Sequence, residues 1–300
     1  MSLYLVTVLT NICLFSFIAL SAYLILIVGE VSFGQQAFFG IGAYSLAIFY
    51  VYFDLSIIYS IFLGMVICFC LGLLLSLLTI KLSGLYFAMA TLAFAEVFRL
   101  SMNLVRFPIE KDGRATGLNG PEGFENIRWI FENNIDTLGF FYITLIILTI
   151  LLFCFFILER SFIMKNARIV GKDLILAQSL GINPRPYRLF FIGTAGAISG
   201  LGGALFALAS TYIEPAMFGM MLGVHSLAYT IIGGLGLPIG PLLGVFIDIG
   251  LLESIRFLSE YRMIIFGGLV AIILIFYPEG IISPRIASRI KRFFFSKGFK

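Results

Sequence analysis

Charge is what this chain has least of. Asp, Glu, Lys and Arg make up 12% of its 300 residues, and there is one histidine. A soluble domain carries about 25% charged residues, so the deficit excludes a water-soluble fold. The single histidine, His225, leaves nothing from which to build a catalytic triad or a histidine metal cluster. No GxSxG, HExxH, CxxC or P-loop occurs, so no catalytic set and no metal site is expected. Without a glycine–lysine phosphate loop the chain has no such route to ATP hydrolysis. Any uphill work then draws on an ion gradient or on a separate ATPase. The four cysteines, Cys13, Cys68, Cys70 and Cys154, all lie in apolar runs without zinc or redox spacing, and read as packing residues.

What is present is apolar length. Hydrophobic residues make up 60% of the chain. The uncharged runs 3–28 and 56–80 each exceed the ~20 residues that cross a bilayer as a helix. The alternation in ~10-residue strands that marks a membrane barrel is missing. The expectation is an all-α, polytopic transmembrane bundle in one domain, 1–300, with about 8–10 membrane helices, some of them interrupted. Spans are predicted near 3–28, 33–53, 56–80, 84–106, 138–158, 189–213, 216–236, 239–257 and 262–278. The first run has no basic residue before it and outruns a signal-peptide core of about 7–15 residues, so it reads as the first membrane helix.

The basic residues are placed unevenly. Arg160, Lys165, Arg168, Lys172, Arg185 and Arg188 sit in or beside segment 160–188, and Arg285, Arg289, Lys291, Arg292, Lys297 and Lys300 fill the tail 283–300. By the positive-inside rule both regions face the cytoplasm. The tail reads as a cytoplasmic stop anchor rather than a nucleic-acid site. Segment 108–137, with Glu110, Asp112, Glu122, Glu125, Glu132 and Asp136, is placed outside by counting helices.

Glycine and proline mark the interruptions. Val31-Ser32-Phe33-Gly34 and Leu237-Pro238-Ile239-Gly240 share a pattern of apolar, small or turn-forming, apolar, glycine. Broken backbone at membrane depth survives only against protein or a water-lined cavity, and paired breaks in two halves of a transporter point to its pathway. Segment 189–213 is rich in small residues, including the Gly196–Gly200 pair, which lets backbones approach closely in lipid. It is expected inside the bundle.

Ionisable and polar groups in apolar runs are the candidate chemistry. Gln35 and Gln36 follow the first break, with Ser32 and Gly34 in it and Gly240 in the second. Glu96 and Arg99, three apart, can pair on one helix face. Asp248 and Glu253 lie in a mostly apolar run, and His225 is either a packing hydrogen-bonder or a relay. Ser32, Gly34, Gln35, Gln36, Glu96, His225 and Gly240 are the candidate pathway residues.

The segment between the fifth and sixth runs is about thirty residues long, against about 2–8 for a plain connector. Ile169, Val170, Leu174, Ala177 and Leu180 fall roughly along one helix side. Asp173 is mid-helix or a local start, and Gly181 before Asn183-Pro184 is a strong stop. Such an amphipathic segment can lie on the membrane or plug a partner's groove.

Four collinear blocks carry a resemblance: GEVSFGQQAFFGIGAY (29–44), LSGLYFAMATLAFAEVFRL (82–100), TGLNGPEG (116–123), and the stretch from Asp173 through GGLGLPIGPLLG to YPEGI. Together they resemble the branched-chain amino-acid ABC importer permeases, the M type more than its H-type companion. The resemblance implies a subunit without its own ATPase site that moves branched-chain or other small amino acids. It implies a second related permease, two cytosolic ATP-binding cassette subunits and an external solute-binding protein as partners. It further implies a multi-pass place in the bacterial inner membrane with the C-terminus cytoplasmic, and no cofactor on this chain, ATP being used by the partners. The central segment becomes the coupling loop, with Arg168, Asp173, Leu176, Ala177, Leu180 and Gly181 meeting the ATPase. Two departures stand out. ILAQSLG (175–181) keeps the family's glycine but loses its acidic start, and His225 stands where relatives often carry an acid. Urea, amides or another small solute stay open as cargo, as do an ion-coupled carrier and, disfavoured by the broken helices, a membrane scaffold.

Overall fold

The computed structural model describes residues 3–111, 114–125, 127–252, 262–277 and 279–282. Glu253 and the basic tail lie outside them. Among the described residues, nine apolar helices follow the predicted order: α1 (Leu3–Ile27), α2 (Gln35–Val51), α3 (Ile57–Leu78), α4 (Leu85–Leu104), then, after a polar insert, α6 (Thr137–Arg160), α9 (Pro184–Ser210), α10 (Met220–Gly233), α11 (Ile239–Val245) running into a π-helical turn (Phe246–Leu252), and α12 (Arg262–Phe276). Five are long and apolar enough to cross a membrane outright: α1, α3, α4, α6 and α9.

The elements between these nine helices are short. β1 (Arg106–Lys111), β2 (Arg114–Asn119) and β3 (Phe124–Glu125) form an antiparallel sheet in the order β1-β2-β3, followed by the single turn α5 (Trp129–Glu132). α7 (Phe162–Lys172) and α8 (Leu174–Ser179) stand between α6 and α9. Local chemistry starts each one: Ser161 accepts from the Met164 N–H at 3.3 Å, Asp173 from those of Ile175 and Leu176 at 2.8 and 3.0 Å, and Asn183 from Arg185 at 3.1 Å. Pro184 at the start of α9 needs no intrahelical partner for its nitrogen.

α6 sets the molecule's polarity. Its 24 residues span about 36 Å at ~1.5 Å per residue, with the sheet at one end and the α7–α8 arm at the other. The acidic segment and the basic central segment therefore sit at opposite ends of the bundle.

Three helices form the centre. The most apolar windows of α1 and α9 are 56% and 61% buried, against 17–28% for α3, α4 and α6. α2 buries 14 of its 17 residues. Small residues make this possible. A Cβ on Gly203 would strike the Phe39 carbonyl and one on Gly42 the Gly200 carbonyl, while one on Gly196 would come 2.7 Å from the Cys68 oxygen. The Gly196–Gly200 pair thus acts as expected, drawing α9 against α2 and α3.

The small sheet was not foreseen. Arg106 pairs with Asn119, Lys111 with Arg114, and Leu118 with Phe124, and Phe124 bridges to Ile213 beyond α9. Its anchors are Leu118, Phe124 and Ile127, all buried over the ends of α2 and α9. The Leu118 N–H donates to the Tyr52 hydroxyl at 3.0 Å.

Candidate functional site

The first break begins where α1 stops. Gly29 takes φ +81°, and its neighbour Glu30 is buried against Arg188 at 2.7 Å. The Gly84 N–H also donates to Glu30 at 3.2 Å, while Arg188 donates to the Ile80 and Leu82 carbonyls at 3.2 and 2.7 Å. This buried pair ties the first break to the α3–α4 turn and the foot of α9. Arg188 had been read only as a flanking charge, and Glu30 not at all. A lone acid two residues past an apolar run was the available signal.

From there the chain re-enters the bundle without helix. The Phe33 N–H donates to Thr91 at 3.0 Å, and that of Gly34 to Ser32 at 3.1 Å. Side chains thus replace the missing helical partners. α2 then starts at depth. Its first carbonyl, on Gln35, accepts from Ser199 at 2.8 Å. Ser199 lies about 22 Å along an α9 of about 40 Å, at ~1.5 Å per residue, which is mid-height.

Here the structure holds its largest polar debt. Gln35 and Gln36 are completely buried, and neither oxygen nor nitrogen of either carboxamide has a hydrogen-bond partner. With the Tyr44 hydroxyl, two turns further along, these are the buried side-chain atoms lacking a partner among the described residues, and all five lie on α2. The first N–H groups of any helix also lack intrahelical partners, so donors and acceptors converge on one point at mid-height. A Cβ on Gly223 of α10 would run into the Gln36 oxygen. α10 therefore closes the site from the far side.

The second break is different. Gly234 takes φ +87° and sits against the carbonyls of Glu279 and Ile282. Ile281 and Ile282 donate to the Ile232 and Gly233 carbonyls, both at 2.9 Å, and Gly236 donates to Ile282 at 3.1 Å. Gly240 packs on the carbonyls of Gly233 and Gly234. Its backbone is satisfied within the chain, and it meets α10 ten residues from Gly223, about 15 Å along the helix. The two breaks meet α10 at opposite ends.

The remaining candidates disperse. Glu96 pairs with Arg99 at 2.8 Å. His225 points its Nδ1 at the Met221 carbonyl, 2.8 Å away, and stacks on Phe266 with ring centroids 5.2 Å apart. It lies about 200° around α10 from Gly223, on the face away from Gln36. Asp248, buried in the π-helical turn, accepts from the Tyr229 hydroxyl at 2.7 Å.

The central arm has two unlike halves. α7 turns Met164, Ala167 and Val170 inward, and Gly171 lies flush with the backbone of Ile27 and Gly29. α8 buries Ala177 alone and exposes Ile175 (80%), Leu180 (60%), Leu176 (50%) and Leu174 (42%). Asp173 is the start of α8 rather than mid-helix, and the predicted single stripe is split between the two helices. Gly181, at φ +77°, ends α8. Arg168 points inward, onto Glu159, Tyr23 and the Leu235 carbonyl.

The model of the family described as "Branched-chain amino acid transport system / permease component" matches residues 4–276. The chain is 26% identical over 273 residues to the high-affinity branched-chain amino acid transport system permease protein LivM of Salmonella typhimurium, and 26% over 276 residues to LivM of Escherichia coli. Each match covers 85% of this chain and 64% of the relative, so the chain spans less than two thirds of the length of those relatives. It is 25% identical over 128 residues to the permease protein BraD of Pseudomonas aeruginosa, covering 42% of this chain and 41% of that one. No solved structure matches.

Proposed function

We propose that this chain, which belongs to the branched-chain amino acid transport permease family, is the membrane-spanning subunit of an ATP-driven importer of branched-chain or other small amino acids. It is a multi-pass helical membrane protein. In the proposal it works in the bacterial inner membrane beside a second permease, with two ATPase subunits at the α7–α8 end and a solute-binding protein at the sheet end. That orientation puts the basic segment in the cytoplasm. ATP is consumed by the partners, and this chain binds no cofactor.

The observation that carries the reading is the start of α2. A helix that begins at mid-height, with four carboxamide atoms unpartnered around its N-terminus, is costly unless water or cargo satisfies them. Neutral amides suit a zwitterion that must be released again, because a fixed charge there would hold it. Binding affinity is left to the external protein. α8 supplies the other half: four exposed apolar side chains on a capped helix make a docking face for an ATPase groove.

Uptake of labelled leucine by cells carrying the chain and its cognate subunits tests the passage. Gln35→Leu/Gln36→Leu is expected to insert normally and to lose most of its uptake. Wild-type rate and selectivity in that double variant remove the passage from α2. For the docking face, Leu176→Asp and Leu180→Asp each place a carboxylate in a desolvated contact, at a cost of several kcal/mol. The expected result is loss of ATPase co-purification with the helical circular dichroism intact. Undiminished uptake by both variants takes α8 out of the mechanism.

A further inference from the structure

α8 is built to be pushed, but nothing in it reaches the passage. The connection lies in α7. One guanidinium there joins four elements: Arg168 Nη2 donates to Glu159 at the end of α6 (2.6 Å) and to the Tyr23 hydroxyl in α1 (2.9 Å), while Nη1 donates to the Leu235 carbonyl just beyond α10 (2.8 Å). Tyr23 in turn donates to the same Glu159 oxygen at 2.9 Å. Glu159 and Tyr23 are buried, so the contact is short, charge-assisted and shielded from water.

We infer that Arg168 is the positioning residue that carries movement of the arm into the passage. The inference rests on the reading that α8 docks an ATPase. Three physical steps support it. First, α8 follows α7 with only Asp173 between them, and Gly171 keeps the end of α7 in backbone contact with Ile27 and Gly29. A push on α8 therefore reaches Arg168 as a movement of the whole helix. Second, Leu235 is the first bend after α10, and α10 is one unbroken helix from Gly233 back to Met220. Its inner face is a stripe of small residues, Gly223, Ser226, Thr230 and Gly233, all buried, which brings it close against its neighbours, so that a pull at one end is passed along the helix to the other. Third, the other end of that stripe is Gly223, the residue that closes on Gln36. The distance from Leu235 to Gly223 is about 18 Å of helix. Pulling the Leu235 carbonyl shifts the wall of the amide site.

The residue type matters. A guanidinium is a planar fork that can hold a carboxylate, a hydroxyl and a carbonyl at once, whereas an ammonium is a compact point charge. Arg168→Lys therefore keeps a cation beside Glu159 but cannot keep all three directions.

The test uses the complete importer in proteoliposomes, with ATP hydrolysis and leucine uptake measured together. In Arg168→Ala, which removes all three bonds, the leucine moved per ATP is expected to fall by about tenfold or more, the scale that loss of even one charge-assisted bond sets, while the ATPase stays attached and active. Tyr23→Phe, which removes a single hydroxyl, is expected to lower the ratio by a smaller factor. Arg168→Lys is expected to keep assembly but not the parental ratio. A purely structural clamp moves hydrolysis and uptake in step. That result, or a parental ratio in both Arg168→Lys and Tyr23→Phe, overturns the inference even if Arg168→Ala does not assemble. If the parent chain recruits no ATPase, the docking reading falls and this one with it. If Leu176→Asp releases the ATPase but the Arg168 variants keep the parental ratio, this one falls alone.

Discussion

Two breaks written in the same four-residue pattern solve the same physical problem in opposite ways. Around Leu237–Gly240 the interrupted backbone finds its partners inside the chain: Ile232, Gly233 and Gly236 bond to Ile281 and Ile282, and the Gly240 N–H donates to the Leu237 carbonyl. At Ser32–Gly34 the backbone is mended by Thr91 and Ser32, but the two glutamines that follow are left unpartnered at mid-height. One break is a joint that ties two helices to each other. The other leaves four carboxamide atoms without partners in an apolar core. Composition around a break does not tell them apart. What tells them apart is whether the polar groups beside it are backbone, which neighbours can satisfy, or long amides left without a hydrogen-bond partner.

The contrast is sharpest in the glycines. A Cβ on Gly240 would press on two backbone carbonyls, that of Gly233 at 2.8 Å and that of Gly234 closer still, and backbone cannot swing aside. Gly240→Ala is expected to cost about 3 kcal/mol or more, the upper end of overpacking. Gly34 has ordinary helical dihedrals, φ −89° and ψ −5°, and a Cβ there would meet Ser32 and Thr91 atoms at 3.4 Å, a normal contact. Gly34→Ala is expected to stay within about 1 kcal/mol of the parent. Thermal unfolding of the detergent-solubilised chain compares them. Equal losses in both variants erase the distinction.

A smaller effect of opposite sign is expected at the amides. Replacing an unpartnered buried amide with an apolar side chain removes a desolvation cost of about 1–3 kcal/mol. Gln35→Leu/Gln36→Leu should therefore raise the unfolding midpoint even as it abolishes uptake. A lower midpoint means that the glutamines are bonded in the membrane, and that both breaks are joints.

Much of this architecture is legible in the sequence, and the limits have physical causes. All nine apolar helices lie close to their predicted spans because each is an uncharged run bounded by charge, glycine or proline, which a bilayer reads by length. The enclosure of α9 follows from its small residues. The sheet was hidden because RFPIEK and RATGLN are too short and too polar to stand out beside such runs, although the Asp112-Gly113 pair between them is a hairpin signal. The Arg168 contact was hidden for another reason. Glu159, Tyr23 and Leu235 are separated by up to 212 positions in a chain of 300, and helical periodicity shows which face a residue is on without showing what is opposite. Gln35 and Gln36 were visible as candidates, but only packing shows that nothing answers them. Glu96 and His225 were visible too, and packing assigns each a neighbour instead.

The smallest expected effect concerns a third glycine, one with neither a crowded nor a polar surround. Gly181 takes φ +77°, and a Cβ there would meet nothing within 4 Å. Its N–H donates to the Gln178 carbonyl and that of Ile182 to the Ala177 carbonyl, both at 2.9 Å, which closes α8 in a left-handed cap. With no clash to relieve, only the backbone conformation disfavours a side chain, and that costs about 1–2 kcal/mol for alanine. Asparagine, which tolerates the left-handed region, should cost less. The strain is confined to one short helix, so the bundle's unfolding midpoint should not move. Hydrogen exchange of the 176–180 amides should quicken in Gly181→Ala and stay near parental in Gly181→Asn. Weaker ATPase attachment in the alanine variant alone then shows that the docking face depends on the cap. Unchanged exchange in Gly181→Ala means that α8 is held by Ala177 and the bundle, and that its exposed leucines are displayed whether or not the glycine is there.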